Sequence, residues 1–216
     1  MKNKKRISVI VAAYNQEKYI GRCLRSLLRQ NVDYNEVEII VVDDGSQDNT
    51  PYALQLFRGD IVVVSHESNK GLPSAVNSGL KIASGEYIVR VDSDDYVNEK
   101  FLTILQTYLD FNESSAAVGC DYYVVDESEC VVSRKSSVED PIACGIMFRR
   151  SAIDEIGLMN EKFLLNEEKE FKKRFEMKFS INHLAIPLYR YRRHDNNITN
   201  DVEKLKFYDD MLVQEN

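Results

Sequence analysis

An α/β fold, with a mostly parallel central sheet and helices on both faces, is predicted by two features of the chain. The first hundred residues alternate short β-branched apolar runs with segments of helical periodicity, and acidic clusters stand where two of the runs end. Ile7–Ala13 is continuously apolar, as a strand buried on both faces must be. Tyr19–Leu28 then places Ile20, Cys23, Leu24 and Leu27 at helical spacing. Val37–Val42 is a second buried strand, and Thr50–Phe57 a helix opened by Pro51. Asp60–Ser65, Pro73–Ala83 and Glu86–Val91 continue the alternation as strand, helix and strand, and Glu99–Phe111 is helical. Beyond it the pattern loosens. Ala117–Val125 and Glu129–Ser133 read as paired strands, and Asp140–Phe148 leads into a helix over Arg150–Ile156. Lys162–Phe175 is a charged helix, Ile181–Tyr191 a strand, and Asp201–Val213 a terminal helix.

The 216 residues suit one domain, with no repeat, low-complexity tract or Gly/Ser linker. A net charge of −7 gives no global basic field, which argues against nucleic acid as a partner. No apolar run approaches the ~20 residues of a bilayer span, and the run behind the basic start is too short for a signal sequence. The four cysteines, Cys23, Cys120, Cys130 and Cys144, lie far apart without a C-x-x-C pair, as expected of thiols in a reducing cytosol. The expected location is cytoplasmic, with peripheral attachment at the inner face of the membrane as a variant.

Ligands of open parallel sheets bind beyond the carboxyl ends of the strands. There the chain places Ala12-Ala13-Tyr14-Asn15, Asp43-Asp44-Gly45-Ser46 and Asp92-Ser93-Asp94-Asp95. Either acidic cluster alone has an ordinary reading, a D-G turn in the first and a helix N-cap in the second. Together, at two strand ends, they would repel each other unless a cation or hydrogen-bond donors lay between them. Hard carboxylate oxygens suit Mg²⁺ or Mn²⁺, whose shell substrate phosphates complete. Neither G-x-G-x-x-G nor G-x-x-x-x-G-K-[ST] is present, so no glycine-rich loop cradles phosphate. There is no G-x-S-x-G elbow, and His66, His183 and His194 lack H-E-x-x-H spacing. His66 and His183 are expected to be ordinary surface or core residues.

These segments, with Asn69-Lys70-Gly71-Leu72-Pro73-Ser74-Ala75-Val76-Asn77-Ser78-Gly79 and Gly85-Glu86-Tyr87-Ile88, resemble the family 2 glycosyltransferases of the GT-A fold. Five elements match in order over roughly residues 6–110. The resemblance implies a GT-A nucleotide-diphospho-sugar transferase fold, a UDP-sugar donor and a D-x-D site for Mn²⁺ or Mg²⁺. It implies Asp94 as a direct metal ligand, with Asp92 toward the ribose or a metal-bound water and Ser93 between them as a donor contact. Asp44 would accept from the uracil imide, with Asp43 nearby. Ala12, Tyr14 and Asn15 would line the base and ribose, and Lys70 and Asn77 would lie by the diphosphate or sugar.

The back half matches more loosely. Asn166-Glu167-Glu168-Lys169-Glu170-Phe171-Lys172-Lys173-Arg174 resembles the helix whose second acid is the catalytic base of inverting members. That position is Glu168 here, where the family more usually has Asp. A solvated acidic helix face is the alternative. Tyr189-Arg190-Tyr191-Arg192-Arg193-His194 resembles the segment that places Arg and His by the diphosphate. Arg193 is thereby a donor contact and His194 a further metal ligand, although an exposed charged strand face would look alike. The resulting expectation is one glycosyltransferase domain over 1–216, with a donor half at about 6–110, an acceptor half at about 111–200 and a C-terminal helix over 201–216. It would pass a sugar, with inversion, to a hydroxyl of a saccharide or lipid-linked saccharide in surface glycan assembly. The alternatives are a sugar nucleotidyltransferase, disfavoured by Ala12-Ala13-Tyr14-Asn15-Gln16 where a Gly- and Arg-containing loop is needed, and a nucleotide-binding module without turnover.

Overall fold

The computed structural model describes residues 5–164, 166–195, 197 and 208. The front half consists of β1 (Ile7–Ala13), α1 (Ile20–Leu27), β2 (Val37–Asp43), α2 (Thr50–Gln55), β3 (Val62–Ser65), α3 (Leu72–Ile82) and β4 (Tyr87–Arg90). β1 pairs in parallel with β2 on one side and β4 on the other, and β3 extends β2. The chain moves outward from β1 through β2 to β3, then returns to lay β4 against the free side of β1. That reversal opens a crevice beyond the carboxyl ends of β1 and β4, where open α/β sheets bind ligands.

Side chains alternate across a strand, so the two faces of the sheet receive different residues. Ile7, Val9 and Val11 of β1 pack with Ile39, Val41 and Val89 beneath α1 and α4 (Phe101–Phe111). Ile10, Ile40 and Ile88 face the other way. They meet Val76 and Leu80 of α3, Ile153 of α5 (Arg150–Ile156), and Phe171 and Phe175 of α6 (Glu167–Glu176).

The back half adds β5 (Tyr96–Val97), β6 (Ala117–Val125), β7 (Val131–Lys135), β8 (Ile146–Arg149) and β9 (Ile181–Arg192). One sheet of order β3-β2-β1-β4-β8-β6-β9-β5 results, with β7 on β6. β8 is antiparallel to β4 and β6, whereas β9 runs parallel to β6 and antiparallel to β5. β9 thereby carries residues distant in sequence back to the crevice.

The expected elements are present with three instructive shifts. The charged helix begins at Glu167, not Lys162, because Asn166 sits at φ 60°, a left-handed conformation that interrupts a right-handed helix. The strand expected over Glu129–Ser133 is Val131–Lys135. Its first residues form a turn in which the Asp126 carboxylate accepts from the Ser128 and Cys130 N–H groups at 2.9 Å. The two-residue β5 was not anticipated, having too little length for a periodic signal. The terminal helix predicted over Asp201–Val213 lies outside the described residues, Tyr208 excepted.

Candidate functional site

The turn after β2 depends on glycine. Gly45 has φ +73°, and a Cβ there would lie 2.6 Å from the Ser68 carbonyl carbon. In this turn Asp43 Oδ1 accepts from Ser46 N–H at 3.1 Å. Asn15, at φ 53°, joins the two strand ends: its N–H donates to Ser46 Oγ at 3.0 Å, and its Oδ1 accepts from Gln47 N–H at 2.8 Å. The Asp44 carboxylate accepts from His66 Nδ1 at 2.6 Å, Lys70 N–H at 3.0 Å and Gly71 N–H at 2.8 Å. Asp44 is thus buried and fixes the 66–71 loop. His66, read from the sequence as an ordinary residue, completes this network and reaches Ser78 Oγ at 2.8 Å through Nε2. Tyr14 and Lys70 remain exposed at the mouth, with Ala12 half-buried beneath them.

Asn77 departs from expectation. Its side chain is 1% exposed and entirely engaged, donating to Met159 O and Glu161 Oε1 at 2.9 Å and accepting from Met159 N–H at 2.9 Å. It ties α3 to the back half and has no free group for a diphosphate.

At the end of β4, Arg90 grips Asp92 with two nitrogens, at 2.7 and 3.3 Å. Asp94 Oδ2 lies 3.0 Å from His194 Nε2 and accepts from Asn197 Nδ2 at 3.4 Å. Asp95 turns inward, where its Oδ1 accepts from Arg192 N–H at 2.7 Å. Burial, then Asp94 and Asp92, push the Asp95 carboxyl well above the usual range. The helix-capping reading fails here, because β5 intervenes and α4 opens at Phe101.

Two donor sets are available to a cation. Asp92, Asp95 and Cys144 offer ligand atoms within 4.8 Å of one another. Burial, Asp92 and Asp95 hold the Cys144 thiol well above its usual pKa, so it stays protonated, and sulfur suits soft metals. The other is the pair Asp94 and His194, 3.0 Å apart, whose carboxylate oxygen and ring nitrogen suit Mn²⁺ or Mg²⁺ better than a thiol does.

Arg90 also reaches the back half, donating from one terminal nitrogen to Glu167 Oε1 at 3.1 Å. Glu167 is 3% exposed; burial pushes its carboxyl to about 7 despite Arg90, with Glu168 adding to the rise. The first-turn acids of α6 therefore have different fates. Glu167 is buried on Arg90, and Glu170 pairs with Arg174, which also binds the Ile156 and Leu158 carbonyls. Glu168 is half-buried and lines a cavity together with Arg90 and Phe171. A uniformly solvated acidic face is thus not what forms.

Arg192 was missed in the sequence. It is 3% exposed, donates through Nε to Asp94 O at 2.9 Å, and reaches Glu129 Oε1 at 3.1 Å. Arg193 is exposed, its N–H bonded to Val125 O. The signal was available: two-residue spacing along an extended segment puts Arg192 and His194 on one side and Arg193 on the other. Tyr19 stacks on His194 with ring centroids 4.6 Å apart. Arg90, by contrast, carries no local motif, and Glu167 lies in one that does not name its partner.

Comparison with known proteins adds a family to this geometry. The sequence profile of Glycosyl transferase family 2 matches residues 8–136. Glycosyltransferase GlyG of Streptococcus pneumoniae serotype 4 is 40% identical over 126 residues, 57% of this chain and 41% of GlyG. EpsH of Bacillus subtilis (strain 168) is 28% identical over 97% of this chain and 67% of its own length. The crystal structure of S. aureus TarS 1-349 in complex with UDP-GlcNAc superposes with a TM-score of 0.79 at 25% identity, covering 94% of this chain and 64% of that one. The fold is therefore GT-A. The chain spans from about two fifths to two thirds of the length of these relatives.

Proposed function

The chain belongs to glycosyl transferase family 2, and from that premise we propose that it is a metal-dependent, inverting glycosyltransferase that moves a sugar from a UDP-sugar to a hydroxyl acceptor. The observation that carries this reading is the Arg90 bridge: one guanidinium holds both Asp92 and Glu167, and so sets the helix bearing Glu168 against the Asp92–Asp94 turn. The UDP-GlcNAc bound to TarS supports the donor class.

We assign residues of about 6–110 to the donor and about 111–200 to the acceptor. Ala12, Tyr14, Asn15, Asp43 and Asp44 frame the nucleoside, with Asp44 acting through the loop it pins. Lys70 and Arg193, both exposed, are assigned to the diphosphate. Asp92 and Asp94, with Ser93 between them, and His194 would hold Mn²⁺ or Mg²⁺. When bound, the ion supplies positive charge against the departing diphosphate.

Glu168 accepts the proton of the acceptor hydroxyl as that oxygen attacks the anomeric carbon. The bond from that carbon to the diphosphate breaks, its electron pair leaving with UDP, and the configuration inverts. Glu167 is the weaker candidate for this proton, since Arg90 already occupies it.

No helix among the described residues is long and apolar enough to cross a membrane. We place the protein in the cytoplasm, at the inner membrane face if its acceptor is lipid-linked, and in surface glycan assembly. TarS is named as a poly(ribitol-phosphate) beta-N-acetylglucosaminyltransferase, and is 40% identical over half of this chain.

The test is UDP release from UDP-sugars with Mn²⁺. Glu168→Gln is expected to keep UDP binding, read as a thermal shift, while transfer falls by roughly 10²–10⁴-fold. Unchanged transfer would remove Glu168 from the mechanism. Pyrophosphate formed from UTP and a sugar phosphate would favour the nucleotidyltransferase reading instead.

A further inference from the structure

Among the described residues, the sheet face bearing Ile10 and Ile88 is incompletely covered. Between it, α3, β8 and α6 lies a cavity of about 130 Å³, walled by Val76, Leu80, Phe148 and Phe171. Ile146, Phe148, Met159 and Ile181 border it and are only half-buried, although their chemistry suits a core. The space is therefore open to solvent. Its rim carries the polar groups Arg90, Glu168, Lys169 and Lys172. An apolar cavity with a few polar groups converging at its mouth is the usual form of a small-molecule site. Here the mouth is shared with the acid assigned to deprotonate the acceptor.

We propose that this cavity seats the apolar part of the acceptor, which is an amphiphile: a hydroxyl-bearing sugar attached to a hydrocarbon tail. This deepens the glycosyltransferase reading and rests on its assignment of Glu168. The tail fills the space among Val76, Leu80, Ile146 and Phe171, while the sugar lies at the rim beside Glu168. A dry apolar cavity of roughly 150 Å³ takes a benzene ring. The present one should therefore accept about six carbons.

The test is calorimetric binding of methyl, butyl, hexyl, octyl and decyl β-D-glucopyranosides, below their micellar concentrations, with UDP and Mn²⁺ present. Kd is expected to fall roughly threefold per methylene up to hexyl, then to level off. Val76→Phe, which fills the cavity, should flatten the series, its folding checked by thermal melting with UDP. A Kd independent of tail length would overturn the proposal, as would a fall that continues unbroken to decyl in both proteins. UDP release from UDP-sugars, with free UDP left out, is measured in parallel. Release without any tail-length effect defeats the cavity assignment alone. A tail-length effect without release defeats the transfer reading and leaves the cavity as a site for amphiphiles.

Discussion

The two halves of the molecule build their parts of the site in different ways. In the front half the acidic turn is held mainly by backbone groups close in sequence. Asp43 takes the N–H of a residue three positions on, and the N–H groups that fix Asp44 are 26 and 27 positions away. In the back half, side chains do most of the holding, over 77 to 100 positions: Arg90 to Glu167, the Arg192 guanidinium to the Asp94 carbonyl, and His194 to Asp94. The front site is thus a property of strand ends and turn residues, whereas the back site exists only once β9 and α6 have docked. Substitutions should damage the halves differently: in the front, activity with little loss of fold; at the bridge between them, both.

The largest effect is expected at the acidic turn. Asp94→Asn should lower transfer by at least about 10²–10³-fold and abolish the added thermal shift that Mn²⁺ gives with UDP, while the metal-free melting temperature stays near wild type. A metal-dependent shift that survives would transfer the cation to the Asp92–Asp95–Cys144 set. Next comes the bridge. Arg90→Met leaves Asp92 and buried Glu167 without their shared cation and should cost about 3–5 kcal/mol in chemical denaturation. Adding Glu167→Gln should restore part of that, since the stranded charge is then gone. Additive losses would mean that Arg90 and Glu167 do not couple the halves.

Glu167 gives a pH signature of its own. Its carboxyl is raised by burial to about 7, above the value of an unfolded chain, so the folded state binds the proton more tightly. Its contribution is fully present below about pH 4.3 and is lost as pH rises toward 7. Unfolding free energies across that window should therefore decline less steeply in Glu167→Gln, by about 3–4 kcal/mol in all. Parallel curves would show that the carboxyl is not perturbed. The smallest effect separates two neighbouring arginines. Arg193→Ala should raise the donor KM roughly tenfold with melting unchanged, whereas Arg192→Ala should lower the melting temperature, because Arg192 is buried between Asp94 and Glu129. Equal melting losses would erase the distinction.

Much of the front half was legible because its signals are local. Buried parallel strands read as apolar runs, and Gly45 marks a turn that no side chain would fit. The acidic clusters were placed correctly for the same reason: a strand end is defined by the residues beside it. Asn77 was misread because a polar residue in a recognisable motif looks alike whether it faces a ligand or fastens a loop. Only the position of Met159 and Glu161 distinguishes the two. His66 was passed over because its partners Asp44 and Ser78 come from the turn after β2 and from α3.

From its residues alone the chain determined an α/β sheet with acids at two strand ends, since periodicity and turn chemistry act over a few residues. The packed molecule decided which acid does what: Asp95 inward, Asp94 on His194, Glu167 on Arg90, Glu168 at the mouth of an apolar cavity. Those roles depend on burial and on charges brought from a hundred residues away, and a carboxylate's chemistry is set by the dielectric and the neighbours around it.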